Sequence, residues 1–583
     1  MELIDIDLAL GEAGIRSPNF PFLKPDEYPY KIAFYQPGGK IGISRSAIKN
    51  HDHETAHRQH LEFLRWAATC GSDLAVTPEY SCPWSVIFMA AEENVSPAAG
   101  KIWTLGCESI TKEELRSLTG KLGDKYKVIY DPRIEQAPGR FADPACIIFK
   151  AQDNEGKEKI VVLIQFKTKA MADREHFEVN NLQEGKAVYV FKNAGGSNRL
   201  ITLICSDSLG LQDRTWIQQK MAENTLLVHL QLNPNPRSAN FRGYRDHCFL
   251  IPGDNTEILC FNWASCASSE PPGLLGWKKI AASALYTKSA DINISDVQIN
   301  ANHHLGLYIT YAPSQKAFCF FFNYASGVYF FETTKPSQRH AVVAQHAKRV
   351  GPEMLNHLSW NAERSTWVKS SVLPDDGFKM ACADIMGGNF DVLFETYDPI
   401  NIERLVVISS GDVGSEHWHE VDELKYVKID ASEEVGRLTF AQDPSCATQE
   451  ERKKALSLFS GLVEILAHNE KIPIWLTELK SSSKLIYTQT ILHRNLRSPQ
   501  SEYATVVYLG NNPSRAKLNE VYDQLRELVV KAEARTIARG MHNLKVVVWY
   551  RENNKLMYVK EDERPEIDED VDNSPADIMR DAK

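Results

Sequence analysis

Long hydrophobic runs are missing from this chain. Its densest apolar stretch, Phe318-Cys319-Phe320-Phe321-Phe322, is far too short to span a bilayer, so no membrane helix is expected. The start, Met1-Glu2-Leu3-Ile4-Asp5, lacks the basic region and long apolar core of a signal peptide. Positive charge is in deficit: the formal net charge is −10, where a generic nucleic-acid binder carries a basic excess. A disulfide framework is lacking too. The eleven cysteines are odd in number and follow no short-loop spacing, and several sit inside apolar runs (Cys146, Cys260, Cys319), as reduced thiols do. The expectation from these absences is a cytoplasmic protein with neither membrane nor nucleic acid as partner. No internal repeat is found.

What is there has an ordinary soluble composition, and 583 residues are too many for one small core, so two large domains are expected. Residues 1–28, rich in Pro and Gly, read as an irregular arm over the first domain. Leu61, Leu64, Trp66 and Ala67 lie close to helical spacing between His57 and Thr69. Strands are expected at Lys31–Tyr35, Asp73–Thr77, Lys101–Gly106, Arg199–Cys205, Thr225–Leu232, Glu257–Trp263, Ala281–Tyr286 and Gly327–Phe331. Ala145–Phe149 and Lys159–Phe166 read as a hairpin turning at Asp153-Asn154-Glu155-Gly156. Helices alternating with such strands predict an α/β fold over 29–334, two packed mixed sheets with helices outside, an αββα sandwich. Lys335-Pro336-Ser337-Gln338 reads as a linker to a second mixed α/β domain over 335–560. That domain has strand candidates at Arg404–Ile408, Pro473–Thr477, Ala504–Leu509 and Leu544–Tyr550. Its clearest helix runs from Ser514 to about Arg539, with Gly540 as its C-cap. The acidic end, 561–583, reads as a disordered tail.

Three short stretches carry reactive groups, each at the end of an apolar, β-branched run: Thr77-Pro78-Glu79-Tyr80, Gln165-Phe166-Lys167-Thr168-Lys169 and Leu203-Ile204-Cys205-Ser206-Asp207. A carboxylate, an ammonium and a thiol suffice to attack an amide or nitrile carbon. Cys205 would be the nucleophile and Glu79 its base. Lys167 would lower the thiol pKa and stabilise the oxyanion, with the Ser206 backbone N–H as second oxyanion donor. Spacing alone leaves Lys169 open beside Lys167, since both fall on one strand face. The mechanism calls for no metal or cofactor.

The order and surroundings of these stretches resemble the nitrilase, or carbon–nitrogen hydrolase, superfamily over roughly the first 330 residues. The resemblance implies a Glu-Lys-Cys site at Glu79, Lys167 and Cys205. It also implies a second glutamate after the lysine, assigned to Glu175 with Glu178 as the alternative. Softer matches are Phe177 with Gly185, Arg245 followed by Asn262, and Ser283-Ala284-Leu285-Tyr286. Ser206 departs from the aromatic or acidic residue common after the nucleophile, while Lys167-Thr168-Lys169-Ala170 matches the family's order and favours Lys167. Pocket specificity in this family comes from loops, which makes Trp84, Asn233 and Asn235 candidate pocket walls. A homodimer or higher oligomer is the further implication.

Other motifs are weaker. His53-Glu54-Thr55-Ala56-His57 has the spacing of a zinc helix, but it lies in a histidine-rich segment with no nearby third ligand and reads as a solvated first turn. His417-Trp418-His419 reads as a loop. Ser409-Ser410-Gly411-Asp412-Val413-Gly414 reads as a turn after a strand, without the pattern of a synthetase phosphate loop or a Walker lysine. The leading expectation is a cysteine-dependent hydrolase of a non-peptide C–N bond in a small amide or nitrile. Its C-terminal domain would select substrate, regulate access or hold a protein partner, as in a conditional bacterial defence effector. The alternatives are an inert nitrilase-fold scaffold and a glutaminase domain coupled to a C-terminal synthetase.

Overall fold

Side-chain alternation along successive strands sorts the first part of the chain into layers. In Leu74–Cys82, Leu74 and Val76 face one core while Ala75 faces another. Ala145, Ile147 and Phe149 of Pro144–Gln152 join the first core, and Cys146 and Ile148 the second. In Arg199–Ile204, Leu200 and Ile204 meet that same first core, and Ile201 and Leu203 a third. Two sheets therefore share one inner core, and each backs onto an outer one. Each fully buried Leu, Ile or Phe contributes about 1.5–3 kcal/mol relative to exposure.

The computed structural model describes residues 1–24, 29–370, 399–413, 446–468 and 472–559, apart from the short stretches 173–176, 194, 197, 212–215, 218–219, 222–223, 251–255, 274–281, 289–291, 313–316, 335–348, 481–482, 488–492 and 535–544. The chain divides into two units, the first built mainly from Met1–Ala381 and the second mainly from Asn401–Glu416 and Lys454–Lys583.

In the first unit a nine-stranded sheet has at its centre Tyr30–Gln36, Leu74–Cys82, Ile102–Cys107, Pro144–Gln152 and Glu158–Phe166 as neighbours. The hairpin of Pro144–Gln152 and Glu158–Phe166 pairs from Pro144 opposite Phe166 to Gln152 opposite Glu158. Helices His53–Thr69, Trp84–Glu92 and Lys112–Leu122 contribute Leu61, Phe63, Leu64, Val86, Ile87, Leu115 and Leu118 to its outer core. An eight-stranded sheet centres on the parallel trio Arg199–Ile204, Thr225–Leu230 and Glu257–Phe261. Helix Ala239–Phe249 places Tyr244, Cys248 and Phe249 in that sheet's outer core. The αββα expectation holds.

The ends of this unit differ from the sequence reading. Glu2–Asp5 is a strand paired parallel to Ala187–Lys192, and Ile6–Glu12 is a helix that buries Ile6 and Leu10, so residues 1–12 are no irregular arm. The apolar–acidic alternation Leu3-Ile4-Asp5-Ile6-Asp7 was too short to stand out from its Pro- and Gly-rich neighbours. Lys335-Pro336-Ser337-Gln338 lies outside the described residues. Beyond it, Glu353–Asn361 pairs with Gly327–Thr333, and Thr366–Lys369 pairs with Glu353–Asn361. Among the described residues the first sheet thus extends to Lys369, past the expected boundary at 334.

The second unit holds a five-stranded sheet in which Tyr503–Asn511 and Val546–Glu552 run parallel. Helix Arg515–Ala534 lies between them in sequence and buries Leu518, Val521, Leu525 and Leu528. The cap assigned to Gly540 lies outside the described residues, as does the tail 561–583. Two strand expectations are overturned. Arg404–Ile408 lies in helix Pro399–Ser409, and Pro473–Thr477 overlaps helix Ile474–Lys480. Short β-branched runs fit either state, and the proline opening each segment supplies the φ of a first helical turn. Ser409-Ser410-Gly411 consequently closes a helix: the Ser410 N–H bonds the Val406 carbonyl, and Gly411 has φ 70°. This end presents carbonyl oxygens, the wrong polarity for phosphate. Among the described residues no helix is long and apolar enough to cross a membrane.

One consequence of burial can be measured. His60 donates its Nδ1–H to the Ala56 carbonyl (2.8 Å), while its Nε2 has no partner among the described residues. Burial lowers its pKa to about 4 from 6.5. The unfolded chain therefore binds a proton there that the folded chain does not, so stability is full above about pH 6.5 and falls as pH drops toward about 4. In urea titrations, His60→Phe is expected to gain on wild type by up to about 3 kcal/mol between pH 7 and pH 4.5. A stability gap that does not change with pH would refute this.

Candidate active site

Glu79 lies within Leu74–Cys82 rather than at its end. Pairing with Ile102–Cys107 slips between Thr77 and Cys82, and Tyr80 adopts φ 56°. Lys167 is the first residue after Glu158–Phe166, and its N–H is held by the Asp143 carbonyl (2.9 Å). Cys205 is the first residue after Arg199–Ile204, opens a 3-10 turn and has φ 38°. Left-handed backbone at a non-glycine residue costs about 1–3 kcal/mol and clusters where side chains are forced into working positions.

These turns bring four groups together. The Lys167 ammonium donates to Glu79 Oε1 (2.7 Å) and Glu178 Oε1 (2.7 Å). Glu178 also accepts from the Tyr80 hydroxyl (2.9 Å) and the Met171 N–H (2.7 Å). Glu79 Oε2 accepts from the Leu232 N–H, and the Glu79 carbonyl from Trp263 Nε1 (2.8 Å). The buried Cys205 thiol lies within electrostatic reach of the Glu79 carboxylate. Glu79, Lys167, Cys205 and Glu178 are at most 5% exposed, so every charge here is desolvated.

Desolvation sets the protonation states. For Lys167 burial opposes the charge, but the carboxylates of Glu178 and then Glu79 outweigh it, and the ammonium is held well above its usual pKa. For Cys205 burial and then the Glu79 carboxylate push the thiol well above its ordinary range against the opposing pull of Lys167. The sequence reading had Lys167 lowering the thiol pKa, and it does pull that way; the net shift has the opposite sign because burial and the Glu79 carboxylate outweigh it. At rest the Cys205 thiol is neutral.

Further bonds fix the turns. Buried Asp207 accepts from Thr168 N (2.7 Å), Thr168 Oγ1 (2.8 Å) and Ile204 N (3.0 Å), lacing the lysine loop to the cysteine turn. Burial outweighs these bonds and raises the Asp207 carboxyl to about 6. The Ser206 hydroxyl donates to the Lys169 carbonyl (2.6 Å). Behind Cys205, His229 donates Nε2–H to the Cys205 carbonyl (2.8 Å) and accepts at Nδ1 from the Tyr244 hydroxyl (2.7 Å). Burial lowers the His229 pKa to about 3, so the ring is neutral and that tautomer is fixed.

The other expected site residues fall as follows. Lys169 points its ammonium at the Leu209 carbonyl (3.3 Å), so Lys167 is the lysine in the cluster. Glu175 lies outside the described residues; Glu178 is the glutamate placed against Lys167. Asn233 is buried, held on both backbone groups by Asn262 (3.1 and 2.6 Å), and continues directly from Leu232. Asn235 follows as an exposed residue whose N–H bonds the Asn233 side chain (2.9 Å). Trp84 opens helix Trp84–Glu92, bonds the Glu108 carbonyl (2.9 Å) and packs against the outer core. Arg245 stacks on Tyr286 at 4.7 Å, and the Ser283 hydroxyl bonds Gln36 (2.6 Å). His53 and His57 open helix His53–Thr69 and turn to different partners, Glu108 (3.8 Å) and Ser85 (2.8 Å). Sequence reasoning missed Asp143, Leu232, Trp263 and His229. Only the polar residue inside an apolar strand, His229 in Thr225–Leu230, carried a local signal.

No protein-family model matches this chain, and no curated protein matches it. Solved structures do. A glutamine-dependent NAD+ synthetase from Acinetobacter baumannii is 12% identical with TM-score 0.28; the match covers 68% of this chain but only 57% of the synthetase. A Saccharomyces cerevisiae member of branch 10 of the nitrilase superfamily is 10% identical with TM-score 0.30, covering 52% of this chain and 89% of the yeast protein. A nitrilase-superfamily amidase from Nesterenkonia is 12% identical with TM-score 0.25, covering 44% and 82%.

Proposed function

We propose that the protein hydrolyses a non-peptide C–N bond of a small amide or nitrile through Cys205. The observation that carries this is a buried thiol beside the Glu79 carboxylate, which in turn is bonded to the Lys167 ammonium. Glu79 takes the thiol proton as sulfur attacks the carbon, so no isolated thiolate is formed in the dry site. For an amide, negative charge develops on the substrate oxygen, where the Lys167 ammonium and the Ser206 backbone N–H stabilise it. Glu79 returns the proton to the departing amine, leaving an acyl-thioester. Water deprotonated by Glu79 then attacks that ester, the carboxylic acid leaves, and the proton on Glu79 returns to Cys205. Glu178, with Tyr80 and Met171 bonded to it, holds Lys167 in place. The second unit is assigned substrate selection or partner binding, and the assembly a homo-oligomer.

The test is untargeted mass spectrometry of a small-molecule extract incubated with wild type or Cys205→Ala. A compound consumed by wild type alone, with an acyl mass on Cys205, is expected. Identical extracts and no adduct would favour the scaffold alternative.

A further inference from the structure

Glu79, Asp143 and Glu178 place carboxylate oxygens within 4.8 Å of one another, and all three are buried. Among the described residues one ammonium serves them. Lys167 bonds Glu79 and Glu178, and stands 3.6 Å from Asp143 Oδ2, too far for a hydrogen bond. The donors are unequally shared. Glu79 accepts from Lys167 and Leu232, and Glu178 accepts from Lys167, Tyr80 and Met171. Among the described residues neither oxygen of Asp143 has a hydrogen-bond partner, though the side chain is fully buried. Its carboxyl nevertheless lies within 4.8 Å of those of Glu79 and Glu178. Buried carboxyl groups this close cannot all be ionised, and the one without a donor holds a proton most readily.

We propose that Asp143 is a neutral carboxylic acid beside Glu79, a positioning residue that limits the negative charge around the base and Lys167. It rests on the reading of Glu79 as the base. Glu79 and Glu178 each have N–H or O–H donors, and the proton stays on the group with none. Burial, then the Glu79 carboxylate, raises the Asp143 carboxyl well above its usual range, against the opposing pull of Lys167 and with a further push from Glu178. The groups facing it are Glu79 and Tyr80 of Leu74–Cys82, Lys167 after Glu158–Phe166 and Glu178 of Phe177–Asn181. With Asp143 protonated, one ammonium balances one carboxylate and leaves one negative charge. Were it ionised, Glu79 would gain a repelling neighbour within 4.8 Å.

Two measurements on the full-length protein test this without turnover, so a failed hydrolase reading and a failed proton assignment are told apart. The first compares urea midpoints of wild type and Asp143→Asn across pH. A neutral Asp143 is ionised on unfolding, so the midpoint of wild type relative to the variant is expected to fall steadily from about pH 4.5 to about pH 8. A gap constant over that range would overturn the proposal, since it means Asp143 is ionised in both states. The second needs no variant: the infrared carbonyl band of a protonated buried carboxyl at neutral pH, shifted when the protein carries carbon-13 in its aspartate carboxyls. Absence of that band, or a band insensitive to the label, overturns it. A merely structural Asp143 would move neither readout.

Discussion

Lys167→Met is expected to destabilise the folded protein by about 3–5 kcal/mol, the cost of removing one partner from a buried ion pair, and to abolish turnover. Lys167 is 1% exposed and is the cation bonded to both Glu79 and Glu178. Without it the two carboxylates lose their shared donor and repel each other in a dry site. Their cheapest escape is to take up protons. The variant's deficit should therefore be largest near neutral pH and shrink as pH falls toward about 5, because protons raised in affinity by folding stabilise the folded state on the acid side. Urea midpoints across that range are the measurement. A variant with the wild-type midpoint at pH 7 would mean that the carboxylates are not charged together in the wild type. Lys167→Arg is expected to fare little better, since a planar fork cannot replace an ammonium held by two converging carboxylates.

Gly106→Ala is the second large effect. A Cβ on Gly106 would lie 2.1 Å from the Pro78 oxygen and 2.7 Å from the Glu79 Cα. Both are backbone atoms on the neighbouring strand, so no side chain can swing aside. Gly106 is itself locked in register opposite Ala145. The strand bearing Glu79 must move, and overpacking of this kind costs about 3 kcal/mol. A displacement of Glu79 by about 1 Å is expected to lower turnover by about 10²-fold even in the fraction that folds. Thermal unfolding and turnover of the purified variant read the two effects separately. Wild-type values in both would show that this close approach is not needed to hold the base.

Gly106 and Asp143 show where reading the chain stops. Both sit at strand ends of unremarkable composition, in Trp103-Thr104-Leu105-Gly106-Cys107 and Ala142-Asp143-Pro144-Ala145. Neither looks reactive. Each matters because a strand elsewhere in sequence lies a few ångströms away. The helices Pro399–Ser409 and Ile474–Lys480 show a different limit: their apolar runs suit helix or strand equally, and neighbours decide.

By itself the sequence determined the layered α/β architecture of the first unit, since period-two alternation of buried residues survives any detail of packing. It also determined which carboxylate, ammonium and thiol end up together, because Glu79, Lys167 and Cys205 each follow an apolar run that has to become a buried strand. Only the tertiary structure chose Lys167 over Lys169. The ladder ends at Phe166, so the two lysines do not share a strand face, and Lys169 turns to Leu209. Only the tertiary structure set Glu178 against Lys167 and added Asp143. The charge states follow from the same cause. A pKa in a buried cluster is a sum over groups far apart in the chain, and that sum has no value until folding removes the water between them.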